Sequence, residues 1–112
     1  MQEKIIVLEE AEGLRVKILG EIDHHNSVAL RSTIDSQLFN IRPELLILDF
    51  SSVKFMDSSG IGLIIGRLER CKSVGAKLRL VGLSKTLCKI VSLSGLEKLE
   101  NLEILKNEKN TK

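Results

Sequence analysis

The chain contains no tryptophan and no tyrosine, and its three phenylalanines are Phe39, Phe50 and Phe55. Stacking single-stranded nucleic acid needs a row of exposed aromatic rings, so their scarcity argues against that class of function. All three sit among apolar residues and are expected in apolar surroundings. An excess of one charge is also lacking: seventeen basic and fifteen acidic residues leave a formal charge of +2. That is too little for affinity built on neutralising a phosphate backbone, so direct nucleic-acid binding is not expected. Two cysteines, Cys71 and Cys88, make neither a disulfide framework nor a zinc ligand set, and reduced, buried thiols are expected. The first apolar run, Ile5–Leu8, is four residues long. It is short of a signal-peptide core and of a membrane span, so a cytoplasmic protein without a membrane partner is expected.

What remains is 112 residues with 43% hydrophobic and 29% charged residues, ordinary globular usage for one domain over 1–112. Ile5–Leu8 and the alternating Leu14-Arg-Val-Lys-Ile18 flank the turn-like Glu10–Gly13, which predicts an antiparallel hairpin. Gly20–Asn26 breaks the pattern and reads as a loop. Leu30, Ile34, Leu38 and Ile41 then recur at helical spacing, and Pro43 closes that helix. Leu45–Phe50 is almost continuously apolar, as a central, covered strand would be.

After an expected loop at Ser51–Met56, Ile61, Ile64, Ile65 and Leu68 predict a second helix, with Asp57 or Ser58 as its N-cap and Gly75 at its end. Lys77–Val81 alternates as a strand, and Ser84 opens a third helix that stops at Gly95. Leu102–Leu105 can form a last short strand, with Lys106–Lys112 a polar tail expected to fray. Strands separated by helix-length segments pair in parallel, so the sheet should be mixed and the fold α/β. Ligands and partners of such sheets meet the loops at the carboxyl ends of the strands: Gly20–Asn26, Ser51–Ser58 and Gly82–Lys85.

Asp57-Ser58-Ser59-Gly60 suits a helix start, but capping does not explain Gly60, Gly62 and Gly66 in one helix, each costing about 1 kcal/mol against alanine. Gly62 and Gly66 share a face with Ser58 or Ser59, and the smooth strip suggests close approach by a partner or by the sheet. Ser58 as a nucleophile would need His24 or His25 as base, without the Gly-x-Ser-x-Gly elbow or a deep pocket. The glycines are not followed by the Gly-Lys-Ser/Thr that cradles phosphates, which disfavours a nucleotide site. Adjacent histidines rarely face one metal ion, and no Cys-x-x-Cys or Glu-x-x-His completes a set. Neither metal nor cofactor is expected, and His24-His25 reads as a polar loop supporting the Asp57 turn. A serine at an exposed turn can instead be phosphorylated by another protein with no base of its own.

Gly20-Glu-Ile-Asp-His-His25, Leu48-Asp-Phe50 and Phe55-Met-Asp-Ser-Ser-Gly-Ile-Gly-Leu-Ile-Ile-Gly-Arg67 together resemble the anti-sigma factor antagonists of the STAS superfamily, and its sporulation branch most. The resemblance runs essentially end to end. Asn26-Ser27 departs from it, where Thr-Ala would be more typical. It implies a mixed sheet with helices and a partner-switching protein without catalysis of its own, monomeric when free. The unphosphorylated form would bind an anti-sigma factor that is also a serine kinase and release the sigma factor. Phosphorylation would fall on Ser58, to be reversed by a dedicated serine phosphatase. Asp23, His24, Asp57, Ser59, Gly60, Gly62 and Gly66 would form the partner contact. An antagonist of a general stress-response anti-sigma factor would share these features.

Overall fold

The computed structural model describes residues 4–105, so the expected fraying of Lys106–Lys112 lies outside the described residues. Strands β1 (Ile5–Glu9) and β2 (Leu14–Ile22) form the expected antiparallel hairpin, with Ile5 opposite Ile18 and Glu9 opposite Leu14. Its turn closes through the Glu10 N–H to the Gly13 carbonyl at 2.8 Å and the Gly13 N–H to the Glu10 carbonyl at 3.2 Å. Helix α1 (Ser27–Ile41) follows, then β3 (Leu45–Met56), α2 (Ser58–Ser73), β4 (Lys77–Val81), α3 (Lys85–Ser94), a 3-10 turn at Leu96–Lys98 and β5 (Leu102–Leu105). The strands lie in the order β1-β2-β3-β4-β5, and every pair after the first is parallel. The mixed α/β sheet read from the sequence is therefore present.

Helix ends obey local chemistry. Pro43 disfavours helical geometry at Arg42, which turns left-handed (φ 52°) and caps α1 with its N–H on the Leu38 carbonyl. Ser84 caps α3 through its hydroxyl to the Leu87 N–H at 3.2 Å, and Gly95 (φ 80°) ends it. Leu30, Ile34 and Leu38 of α1, Leu63, Ile64 and Leu68 of α2, and Leu87 and Val91 of α3 bury against one sheet face made by Leu14, Val16, Leu46, Leu48, Leu78 and Leu80. The opposite face carries the in-register row Arg15, Ile47, Arg79, Glu103, with Arg15 bound to Asp49 at 2.9 Å and Arg79 to Glu103 at 2.8 Å. Ile47 is fully buried between those two arginines.

Several expectations are corrected. Gly20–Ile22 is strand rather than loop, and Ser51–Met56 is not a loop but the second half of β3. The two extensions pair with each other, Leu19 with Ser52, Gly20 with Val53 and Ile22 with Met56, across two register shifts. Parallel pairing satisfies the backbone there and overrides the turn-like composition. Of the phenylalanines only Phe50 is core; Phe39 and Phe55 are exposed, because their positions point away from the shared face. Ile65 is also exposed, one position off the stripe that buries Ile64 and Leu68. Cys71 is buried, with burial pushing its thiol up to about 12, but Cys88 is only half-buried.

Candidate functional site

The carboxyl ends of β2 and β3 arrive side by side, because Ile22 pairs with Met56 and the Asp57 N–H donates to the Ile22 carbonyl at 3.1 Å. β3 passes through Asp57 alone into α2, and β2 through the turn 23–26 into α1. Asp57 is the N-cap of α2: extended (ψ −169°), it accepts the Ser59 N–H on its carboxylate at 2.8 Å, while the Gly60 N–H reaches its carbonyl at 2.9 Å. The Ser59 N–H, with help from the Ser59 hydroxyl and the His24 main-chain N–H, holds the Asp57 carboxyl below the usual carboxylate range.

The β2–α1 turn is a closed set of side-chain to main-chain bonds. Asp23 accepts from the N–H groups of His25 (2.9 Å) and Asn26 (3.0 Å), and Asn26 returns its side-chain oxygen to the Asp23 N–H at 3.0 Å. The Asn26 amide also donates to the Glu21 carbonyl at 2.7 Å. This tight Asx arrangement holds His24 close enough to Asp57 to add to the lowering of its carboxyl. The two imidazoles are exposed and stand edge to face, 6.0 Å apart. Asn26 organises the turn and was not singled out from the sequence; an Asx residue three positions after Asp23 was the available signal.

Ser58 follows the cap with its side chain exposed, and Ser59 is half-buried. The three glycines divide into two kinds. Gly60 is buried, and a Cβ on it would overlap the Met56 side chain, so it lets α2 start close against the end of β3. Gly62 and Gly66 face open space and leave the outer surface of α2 bare. The strip is thus not an approach to the sheet, and Gly60 does not belong to it. Exposed apolar side chains flank Ser58 on either side in sequence, Phe55 at 52% and Ile65 at 39% exposure. Gly82 (φ 74°) ends β4 nearby in the fold, where a side chain would press on the Ser51 N–H that Asp49 binds at 2.9 Å. Among the described residues, no three His, Cys, Asp or Glu side chains group as a metal set, and no helix is long and apolar enough to cross a membrane.

Residues 5–110 match the STAS domain family. An anti-sigma F factor antagonist of Lysinibacillus sphaericus is 33% identical over 76% of this chain and 73% of its own length. An anti-sigma-B factor antagonist of Bacillus subtilis is 30% identical over 87% of each chain. Among solved structures, the anti-sigma factor antagonist SpoIIAA in its unphosphorylated form superposes with a TM-score of 0.75 at 26% identity, covering 95% of this chain and 90% of that one. The phosphorylated form of SpoIIAA, the Bacillus cell fate determinant, gives 0.70 at 27% identity, over 95% and 93%. The family match over nearly the whole chain, the relatives at 30% identity or more and the shared fold lead to one conclusion: the protein belongs to the STAS domain family, among its anti-sigma factor antagonists.

Proposed function

We propose that the protein is a partner-switching antagonist of the sporulation type. It binds an anti-sigma factor while Ser58 is unmodified and lets go when Ser58 carries phosphate. The observation that carries this is the exposed Ser58 hydroxyl directly after the Asp57 cap, beside the exposed Phe55 and the bare Gly62–Gly66 surface. The chain acts by binding, in the cytoplasm, as a monomer when free. Phosphoryl transfer belongs to the anti-sigma factor as serine kinase, and removal to a separate serine phosphatase. The contact surface comprises His24, Ser59, Gly62 and Gly66, with Asp23 and Asp57 holding the turns and Gly60 seating the helix.

Phosphate brings about −1.5 to −2 charges to a contact matched to a neutral hydroxyl. At the N-terminus of α2 the same phosphate meets the positive end of the helix dipole, so the fold accommodates it while the interface does not. In the test, Ser58→Ala and wild type are incubated with the cognate anti-sigma factor and labelled ATP. The variant should bind and take up no phosphate, and the wild-type chain alone should turn over no ATP. Labelling of the variant would move the acceptor to Ser59, and turnover by the chain alone would make it an enzyme. Titration against sporulation and stress-response anti-sigma factors separates the two antagonist types.

A further inference from the structure

Arg67 is the most deeply buried charged residue described, at 2% exposure. Burial pulls its guanidinium pKa down, and repulsion from Arg31 and Arg70 adds to this against the attraction of Asp35. Its Nε lies 2.8 Å from Asp35 Oδ1, in contact but not aligned as a hydrogen bond, and its Nη1 is buried without a partner. A buried guanidinium left partly unpaired is costly, and such groups are normally satisfied by an acceptor. Asp35 is also shared: its other oxygen lies 3.6 Å from Arg70 Nε. Arg31 has no carboxylate within ion-pair distance among the described residues. Arg67 and Arg70 thus share one carboxylate between α1 and α2, and Arg31 stands beside them.

They line an open groove of about 620 Å³, whose floor is exposed by the missing side chains of Gly62 and Gly66 and whose rim carries Glu69. Ser58, Gly62, Gly66 and Arg70 follow one another at intervals of four along α2, so they form one row on the helix surface. The rise per residue puts Arg70 about 18 Å from Ser58 along the axis. A protein lying on the Ser58 face therefore reaches the arginines.

We propose that this groove is a carboxylate-binding site that receives an aspartate or glutamate side chain of the anti-sigma factor, an anchor remote from the phosphorylated serine. The inference rests on the functional reading above. A carboxylate is the matching chemistry: planar, acceptor-only and able to take parallel N–H bonds from the exposed Arg31 and Arg70 guanidinium groups, with the buried Arg67 charge behind them.

The test uses exposed rim residues so that folding is preserved. Arg31→Glu, Arg70→Glu and Glu69→Lys are compared with wild type by calorimetric titration into the ADP-loaded cognate anti-sigma factor, with melting temperature as control. Each arginine reversal should weaken binding by about tenfold and Glu69→Lys should tighten it, both effects shrinking at high salt. Ser58 should still accept phosphate in all three at saturating kinase. Wild-type affinity in both arginine variants, or a shift of Glu69→Lys and Arg70→Glu in the same direction, would overturn the site. Failure of the wild-type chain itself to bind would overturn the functional reading, and the site with it, a pattern that charge variants alone do not produce.

Discussion

Asp57 is where the two strand ends, the helix start and the proposed acceptor Ser58 meet. Its carboxyl is held low by the Ser59 N–H first and then by the Ser59 hydroxyl and the His24 N–H. A carboxyl whose pKa falls on folding contributes stability above its unfolded value of about 4, and loses it as pH drops through the lower folded value. Asn at the same position still caps a helix but does not titrate. Asp57→Asn should therefore unfold at lower urea concentration than wild type at pH 7, with the gap closing as the pH falls through and below the ordinary carboxylate range. A gap that stays constant with pH would show that the cap, and not its charge, holds the turn. The same residue fixes the turn in which Ser58 is exposed and Ser59, whose N–H it binds, is half-buried.

Helix α2 joins two opposite demands in one element. Its inner face packs Leu63, Ile64, Leu68 and Cys71 into the core, while its outer face is bared at Gly62 and Gly66. Gly60→Ala should destabilise the fold by about 1–3 kcal/mol, because the new Cβ meets the anchored end of the Met56 side chain. A shorter side chain at 56 should lessen that loss in a double-mutant cycle. Gly66→Ala should stabilise by up to about 1 kcal/mol, since nothing stands within 4 Å of the added methyl and alanine is the better helix former. Gly66→Leu should then keep its stability and lose affinity for the anti-sigma factor. Chemical denaturation and titration of these variants beside wild type check both sides. Equal losses at 60 and 66 would mean that the two glycines serve packing alike.

At the scale of the whole molecule, phosphorylation should change what binds and leave the fold in place. The helix dipole favours a phosphate at an exposed N-terminus by about 0.3–1 kcal/mol, and repulsion from the nearby carboxylate opposes it in screened solvent. The two forms should therefore melt within about 5 °C of each other. In a closed contact the phosphate loses hydration without gaining partners, a penalty of several kcal/mol that lowers affinity by orders of magnitude. Melting both forms and titrating both with ADP-loaded anti-sigma factor decides this. A phosphorylated form that melts far lower, or that binds as well as the unmodified one, would sink the mechanism.

Local chemistry written in the sequence determined the hairpin across Glu10–Gly13, the α1 stripe of Leu30, Ile34 and Leu38, its stop before Pro43, and the span of α3 between Ser84 and Gly95. Each rests on neighbours within a few positions, so the chain carries it without reference to the rest of the fold. The Asp-Ser-Ser-Gly start of α2 was legible for the same reason, and with it the candidate serine. Strand length was not. Gly20–Ile22 and Ser51–Met56 become strand only because each finds the other's backbone across some thirty residues. Nor was the division among Gly60, Gly62 and Gly66, which depends on where Met56 lies, or the meeting of Arg67 with Asp35, which depends on how α1 sits against α2. Those features join residues distant in sequence, and their energies exist only once the sheet has brought the helices together.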